Sequence, residues 1–193
     1  REGAPADIIQ GIQQPSIALT QELMKRCDLV IATGGRPMVK SAYSSGTPAY
    51  GSGAGNATVI IDNTADTPER QREAAQNTRI SKTSDFGSGC SCDGNLVIHE
   101  SIYDKMGDAL KAEGGYLANE EEAEKLKSVM WDAMGHRLPG TVAISPQKLA
   151  EAAGFEIPED RKFIMVTGGG IDQIGKEYFF SSEKLTTLLA LFK

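Results

Sequence analysis

Short apolar runs bounded by chain-breakers alternate along this 193-residue chain with stretches of helical periodicity, and that rhythm restricts the fold more than any other feature. Asp28-Leu29-Val30-Ile31-Ala32, Thr58-Val59-Ile60-Ile61-Asp62, Asn95-Leu96-Val97-Ile98-His99, Phe163-Ile164-Met165-Val166 and Leu188-Leu189-Ala190-Leu191-Phe192 read as buried strands. Runs apolar at consecutive positions, rather than at every second one, suit strands covered on both faces. Ala6 to Ile12 adds a short strand candidate. Ile17, Leu19, Leu23 and Met24 predict a helix over Ser16 to Lys25, and Pro37, at a first helical turn, opens another that runs to Tyr43. Thr67-Pro68-Glu69 supplies an N-cap, a first-turn proline and an acid at the positive helix end, predicting a helix from Pro68 to Ser81. Ser101 to Glu113 carries Ile102, Met106, Ala109 and Leu110 on one face, with Gly114-Gly115 as its stop. Asn119 caps an acidic helix start at Glu120, Glu121 and Glu122, and Ser145-Pro146 opens a further helix that Gly154 ends. The expected fold is α/β, with parallel strands and helical crossovers alternating to the end of the chain.

Composition narrows the partners. The chain has 20 basic and 26 acidic residues, a net charge of −6 and no long basic run, which argues against nucleic acid and anionic membranes and for small molecules. No apolar stretch nears the roughly 20 residues of a membrane helix. Arg1-Glu2-Gly3-Ala4-Pro5 lacks the charged and apolar regions of a signal peptide, so a cytoplasmic location is expected. Three cysteines, two of them too close in sequence for an easy bridge, fit reduced thiols. The chain starts in mid-pattern without a methionine and stops on a strand that needs neighbours, so it reads as a piece of a longer protein. Gly46, Pro48, Gly51, Gly53 and Gly55 form a breaker cluster suited to a domain crossing.

Two stretches carry chemistry. In Ser84-Asp85-Phe86-Gly87-Ser88-Gly89-Cys90-Ser91-Cys92-Asp93-Gly94-Asn95, the glycines and serines leave Cys90 little apolar cover. A thiol exposed among free backbone amides can meet a carbonyl as a nucleophile. The alternative makes Cys90 and Cys92 zinc ligands, which needs two more donors when only His99 and His136 are on hand, in no paired motif. Otherwise the two histidines read as satisfied or exposed side chains, and Cys27 as a small buried hydrophobe. The second stretch, Ile31-Ala32-Thr33-Gly34-Gly35-Arg36-Pro37-Met38-Val39, is a strand, a glycine-rich turn and a helix start, similar to a nucleotide-binding βα corner. Glycines also end strands for structural reasons, so Thr33-Gly34-Gly35 alone is unspecific. Thr167-Gly168-Gly169-Gly170 is not followed by Lys-Ser or Lys-Thr and opens no helix, so it reads as a flexible connection. Together the cysteine loop and the nucleotide corner suggest a redox enzyme acting through a covalent thioester.

Gly89 to Asn95, leading into Val97-Ile98-His99-Glu100-Ser101-Ile102-Tyr103-Asp104, resembles the catalytic cysteine region of the aldehyde dehydrogenase superfamily. Asp28 to Gly35 with Met38-Val39-Lys40, Ala42 to Gly46, Gly51 to Asn56 and Phe179-Phe180-Ser181-Ser182-Glu183-Lys184-Leu185 resemble, more narrowly, its coenzyme A-acylating branch. The matches are ordered and span most of the chain, yet cover less than half of a family member. Its oxyanion-hole asparagine and C-terminal oligomerisation segment would lie outside this sequence.

The resemblance implies that residues 1–52 are the end of a Rossmann-like cofactor domain and residues 53–193 the α/β catalytic domain. It implies Cys90 as nucleophile with its backbone amide as one oxyanion donor, Thr33, Gly34 and Gly35 at the nicotinamide end of the cofactor, and Glu183 on its ribose. Cys92 is then a neighbour outside the chemistry, and no metal is implied. NAD or NADP is the implied cofactor, with coenzyme A and a small aldehyde as co-substrates. A homo-oligomer in the cytoplasm, free or within a bacterial microcompartment, is the implied setting. Hydrolytic members carry a glutamate in the glycine-rich turn after the nucleotide corner, whereas Gly51-Ser52-Gly53-Ala54-Gly55-Asn56 has no carboxylate. A thioester here would await the thiol of coenzyme A. No basic cluster lies near Cys90 in the sequence to favour an anionic aldehyde. Phe86-Gly87-Ser88-Gly89 is unusual for the family and is expected to alter the aldehyde pocket, and Thr167 to Gly170 replaces a more acidic stretch. The alternatives are a hydrolytic dehydrogenase giving the acid, and a non-catalytic piece that binds only nucleotide or a partner subunit.

Overall fold

The computed structural model describes residues 3–170, 172–175 and 177–193; Arg1 and Glu2, read above as part of the opening segment, lie outside it, as do Ile171 and Lys176. The chain divides into two compact units, Arg1–Ala54 and Gly55–Lys193.

In the first unit, α1 (Ile17–Arg26) begins where the Ser16 hydroxyl accepts the Leu19 N–H at 3.1 Å, and Lys25 and Arg26 suit its negative end. β1 (Val30–Thr33) leads into α2 (Arg36–Tyr43), and β2 (Ala49–Ser52) pairs with β1 in parallel, Val30 opposite Ala49 and Thr33 opposite Ser52. Sequence reasoning took the segment containing β2 as breakers alone. Gly51 marks a close approach: a Cβ there would meet Val39 Cγ1 at 2.6 Å, and its N–H donates to the Tyr43 hydroxyl at 3.0 Å. Residues 6–12 form no strand, contrary to expectation. Ile8 and Ile9 are exposed there, and an extended run with no neighbour to pair with leaves its backbone groups to water. Met24, Val30, Ala32 and Ala42 make the small core of this unit.

The second unit holds β3 (Ala57–Ile61), α3 (Pro68–Thr83), β4 (Asp93–Ile98), α4 (Tyr103–Ala112), β5 (Gly115–Leu117), α5 (Glu120–Met130), α6 (Pro146–Ala152), β6 (Phe163–Thr167) and β7 (Leu188–Phe192). The strands form one parallel sheet in the order β3-β4-β7-β6-β5. Leu96 and Ile98 of β4, Phe163 and Met165 of β6, and Leu189 and Leu191 of β7 pack with Met106 and Leu110 of α4 and Ala75 of α3. The alternate residues Ile164, Val166, Leu188, Ala190 and Phe192 pack with Leu126 and Met130 of α5 and Leu149 and Ala150 of α6. Cover on both faces is why these strands read as unbroken apolar runs.

Three expectations are corrected here. β5 starts at Gly115, in the pair read only as a helix stop: Gly114, at φ +94°, ends the helix and Gly115 begins the strand. Among the described residues no helix joins β6 to β7, only a single turn at Phe179–Ser181, so the alternation does not continue to the end. Thr167 to Gly170 is no free connection, since the Gly168 N–H donates to Leu191 O at 2.7 Å and its Cα lies against the Phe192 ring. No helix of the described residues is long and apolar enough to cross a membrane. Because β3, β4 and β7 are parallel neighbours, the segments that enter them come side by side at one end of the sheet, and those are residues 55–57, 90–95 and 181–188.

Candidate functional site

The cysteine loop is shaped by left-handed backbone. After α3, Asp85 (φ 45°), Phe86 (φ 53°) and Gly87 (φ +67°) turn the chain back on itself. A side chain at Gly87 would put Cβ 2.5 Å from Thr186 O and 3.0 Å from Lys82 O, so this turn requires glycine. A second turn follows, closed by the Cys92 N–H donating to Gly89 O at 3.0 Å, and it carries Cys90 and Ser91 at its centre. Cys90 is an exposed free thiol. Its backbone N–H makes no hydrogen bond among the described residues, which leaves it available to an oxyanion. Ser81 Oγ fixes the exit of the loop, accepting the Asp93 N–H at 2.9 Å and donating to Asp93 Oδ1 at 3.0 Å.

Gly55 joins the loop to Glu183. A Cβ on Gly55 would collide with the Cys90 carbonyl oxygen, and the Gly55 N–H donates to Glu183 Oε1 at 3.0 Å. Cys90 and Glu183, read separately from the sequence, thus meet across one glycine. A polar network behind them ties the three strand entries together. Asn56 Nδ2 donates to Ser181 O at 2.7 Å, Asn95 Nδ2 donates to Asn56 Oδ1 at 2.9 Å, and Lys184 Nζ donates to Asn95 Oδ1 at 2.8 Å and Ser182 O at 2.9 Å. Such a network fixes geometry when every member is satisfied.

Sequence reasoning missed two lysines. Lys82 and Lys184 are each 1% exposed and border the same narrow cleft as Cys90, Cys92 and Glu183. Burial pushes Lys82 down to about 8, opposed by the negative charge of Cys92 and Asp93. Burial, and then the charge of Lys82, hold Lys184 well below the usual lysine range. The absence of a basic cluster near Cys90 is therefore a property of the sequence and not of the site. A signal existed: Gln71, Ala75, Thr78 and Lys82 lie on one face of α3 at helical spacing, and that face is the buried one.

The histidines have local roles. His99 accepts the Ser101 N–H at 3.2 Å, and His136 faces Asp132 at 3.0 Å. Among the described residues no three His, Cys, Asp or Glu side chains gather to hold a metal, so the zinc reading of Cys90 and Cys92 finds no ligand set.

In the first unit, Thr33 ends β1 and Gly35 is the N-cap of α2, while the Gly34 N–H donates to Ser52 O at 3.0 Å. A Cβ on Gly34 would crowd Met38 at 3.3 Å. Between the starts of α1 and α2 lies a groove of about 560 Å³ walled by Ile17, Thr20, Gly35, Pro37, Met38 and Ser41. Its size and apolar walls suit a flat organic ligand.

A sulfoacetaldehyde dehydrogenase of Acholeplasma sp is 43% identical over 194 residues, which are 98% of this chain and 38% of that protein. The crystal structure of an acetylating aldehyde dehydrogenase from Geobacillus thermoglucosidasius superposes with a TM-score of 0.90 at 43% identity, over 98% of this chain and 41% of the other. The homologues of this chain are acylating aldehyde dehydrogenases, and it corresponds to a segment of them. A third member of this family, the Rhodopseudomonas palustris propionaldehyde dehydrogenase with bound propionyl-CoA, matches with a TM-score of 0.81 at 26% identity, over 93% of this chain and 38% of that one. The chain thus spans about two-fifths of the length of these relatives. No protein-family model matches it.

Proposed function

We propose that the full-length protein oxidises a small aldehyde to an acyl-CoA, with Cys90 as the nucleophile and NAD(P)+ as the hydride acceptor. The observation that carries this reading is the Cys90 turn: an exposed thiol, an unengaged backbone N–H beside it, and a close approach of Gly55 that leaves no room for a side chain. Cys90 sulfur adds to the aldehyde carbon, and the Cys90 N–H holds the oxygen that becomes negative. Bound nicotinamide supplies the chemistry of accepting hydride from that carbon. Cys90 then carries the acyl group as a thioester. No carboxylate stands in Gly51 to Asn56 to activate water, and a Cβ at Gly55 would strike the Cys90 carbonyl, so the acyl group awaits a thiol.

Residues 1–52 supply the cofactor corner in this reading and residues 53–193 the catalytic part. Thr33, Gly34 and Gly35 lie along the nicotinamide end of the cofactor, at the start of α2 where N–H groups favour an anion. Glu183, oriented by the Gly55 N–H, takes a ribose hydroxyl. The working protein is a homo-oligomer in the cytoplasm, free or inside a protein-shelled microcompartment.

NAD(P)H formation by the full-length protein, followed with short aldehydes, is the test. It is expected to require both coenzyme A and Cys90, and to vanish in Cys90→Ala. Full-rate oxidation without coenzyme A would assign the hydrolytic reaction instead.

A further inference from the structure

Lys82 sits in the last turn of α3 with only 1% of its surface exposed, and no ion pair of the described residues includes it. It borders the cleft beneath the cysteine loop, together with Cys90, Cys92, Glu183 and Lys184. An unpaired buried charge is costly, and such groups concentrate at functional sites.

The charged and titratable groups packed around Lys82 are otherwise engaged. From the entry to β7, Lys184 is committed to Asn95 and Ser182, and Glu183 takes the Gly55 N–H. From the entry to β4, Asp93 is tied to Ser81, and Asp93 and Cys92 favour the charge on Lys82. Within α3, Arg79 is paired with Glu113 at 2.7 Å. Of the two lysines that border the cleft among the described residues, Lys82 is the one not committed to Asn95 and Ser182.

With Cys90 as the nucleophile, a reading on which this step rests, we propose that Lys82 is its electrostatic support: the ammonium beneath the loop holds the Cys90 sulfur as a thiolate before the aldehyde arrives. The thiol proton leaves to water, and the sulfur anion is balanced by the standing charge of Lys82. At about 8, Lys82 still carries that charge at neutral pH. At an effective dielectric of about 20, opposite unit charges bordering one narrow cleft attract strongly enough to raise a thiolate population by about tenfold. Direct contact is not needed for such an effect.

The test is alkylation by iodoacetamide in the full-length protein, with each cysteine followed separately by peptide mass spectrometry across a range of pH. Lys82→Met is expected to slow Cys90 alkylation near neutral pH by about tenfold or more, with rates converging in alkali. Lys82→Arg, which keeps the charge, is expected to restore the rate to within about threefold. An unchanged Cys90 profile in Lys82→Met, or slowing confined to Cys92, overturns the proposal. If Lys82→Met fails to fold, the unaltered protein decides: the ultraviolet absorbance of a thiolate should be present at neutral pH and disappear when Cys90 is alkylated, and its absence overturns the proposal. Acyl-CoA formation that survives Cys90→Ala would instead remove the nucleophile reading, and the alkylation profile would be unaffected by that result.

Discussion

Lys82 and Lys184 show how one buried pair sets a pH dependence. Burial lowers Lys82 from 10.5 to about 8, so between those values the folded chain binds fewer protons than the unfolded chain. Stability therefore rises with pH from about 8 upward, and below about 8, where both states are protonated, the cost of the buried charge is constant. Lys82→Met removes this rise. Measured by urea unfolding, the variant should gain on the wild type by up to about 3 kcal/mol near neutral pH, relative to the same comparison in alkali. A difference that does not vary with pH would mean that Lys82 titrates alike in both states. Of the site residues, Cys90 was legible in the sequence because small neighbours advertise an exposed thiol. Lys82 was not, because a lysine on a helix defaults to a solvated face, and only the neighbours Gln71, Ala75 and Thr78 say otherwise.

At the scale of elements, Arg137 binds the end of α5 to the segment that enters β7. Its Nε donates to Lys184 O at 2.7 Å, Nη1 to Met130 O at 2.9 Å and Leu138 O at 2.8 Å, and Nη2 to Thr141 O at 2.7 Å, while the guanidinium carbon lies 5.6 Å from the Trp131 ring. All of its acceptors but the Thr141 hydroxyl, which accepts from Nη1 at 2.5 Å, are main-chain carbonyls, and no carboxylate pairs with Arg137 among the described residues. Burial alone pushes it down to about 10. The guanidinium therefore works as a planar fork that satisfies carbonyls no strand or helix claims. Arg137→Lys keeps the charge but loses the fork, stranding at least two carbonyls, so it is expected to cost about 2–4 kcal/mol in urea unfolding. A loss below about 0.5 kcal/mol would show that water or a shifted loop replaces the clamp. Helices α3 and α5 were legible from Thr67-Pro68 and from the Asn119–Glu122 capping box. Arg137 was not, because main-chain acceptors leave no trace in side-chain pattern, and β2 and β5 were hidden by glycines needed for close packing.

For the whole molecule, the two units differ in how much of their own surface they can bury. Gly55–Lys193 has a five-stranded sheet whose strands β4, β7 and β6 are covered on both faces, with all five residues of β7 buried, while its edge strand β3 leaves Ile60 76% exposed. Arg1–Ala54 has, among its described residues, two strands and a core of four buried residues, and it leaves Ile31 78% and Tyr50 71% exposed. A two-stranded sheet is marginal by itself. Ile31 and Tyr50 lie at paired positions of β1 and β2, so one face of that small sheet is apolar and uncovered. The ribbon is thus ordered by α1 and α2 packing on its other face, and little resists its opening. Hydrogen exchange of the 193-residue chain should report this directly. Amides of β1 and β2 are expected to exchange on the order of a hundredfold faster than those of β4, β6 and β7, whose opening requires unfolding of the larger core. Equal protection in both units would mean that the chain unfolds as a single cooperative body. Slow exchange confined to the larger unit would mean instead that the Cys90 loop rests on a stable platform in this chain, while the glycine corner at Thr33 to Gly35 depends on further cover for β1 and β2. Sequence alone could not weigh the two units, since Leu29-Val30-Ile31-Ala32 and Leu188-Leu189-Ala190-Leu191 are equally apolar and only the neighbours supplied by topology distinguish a half-covered strand from a central one.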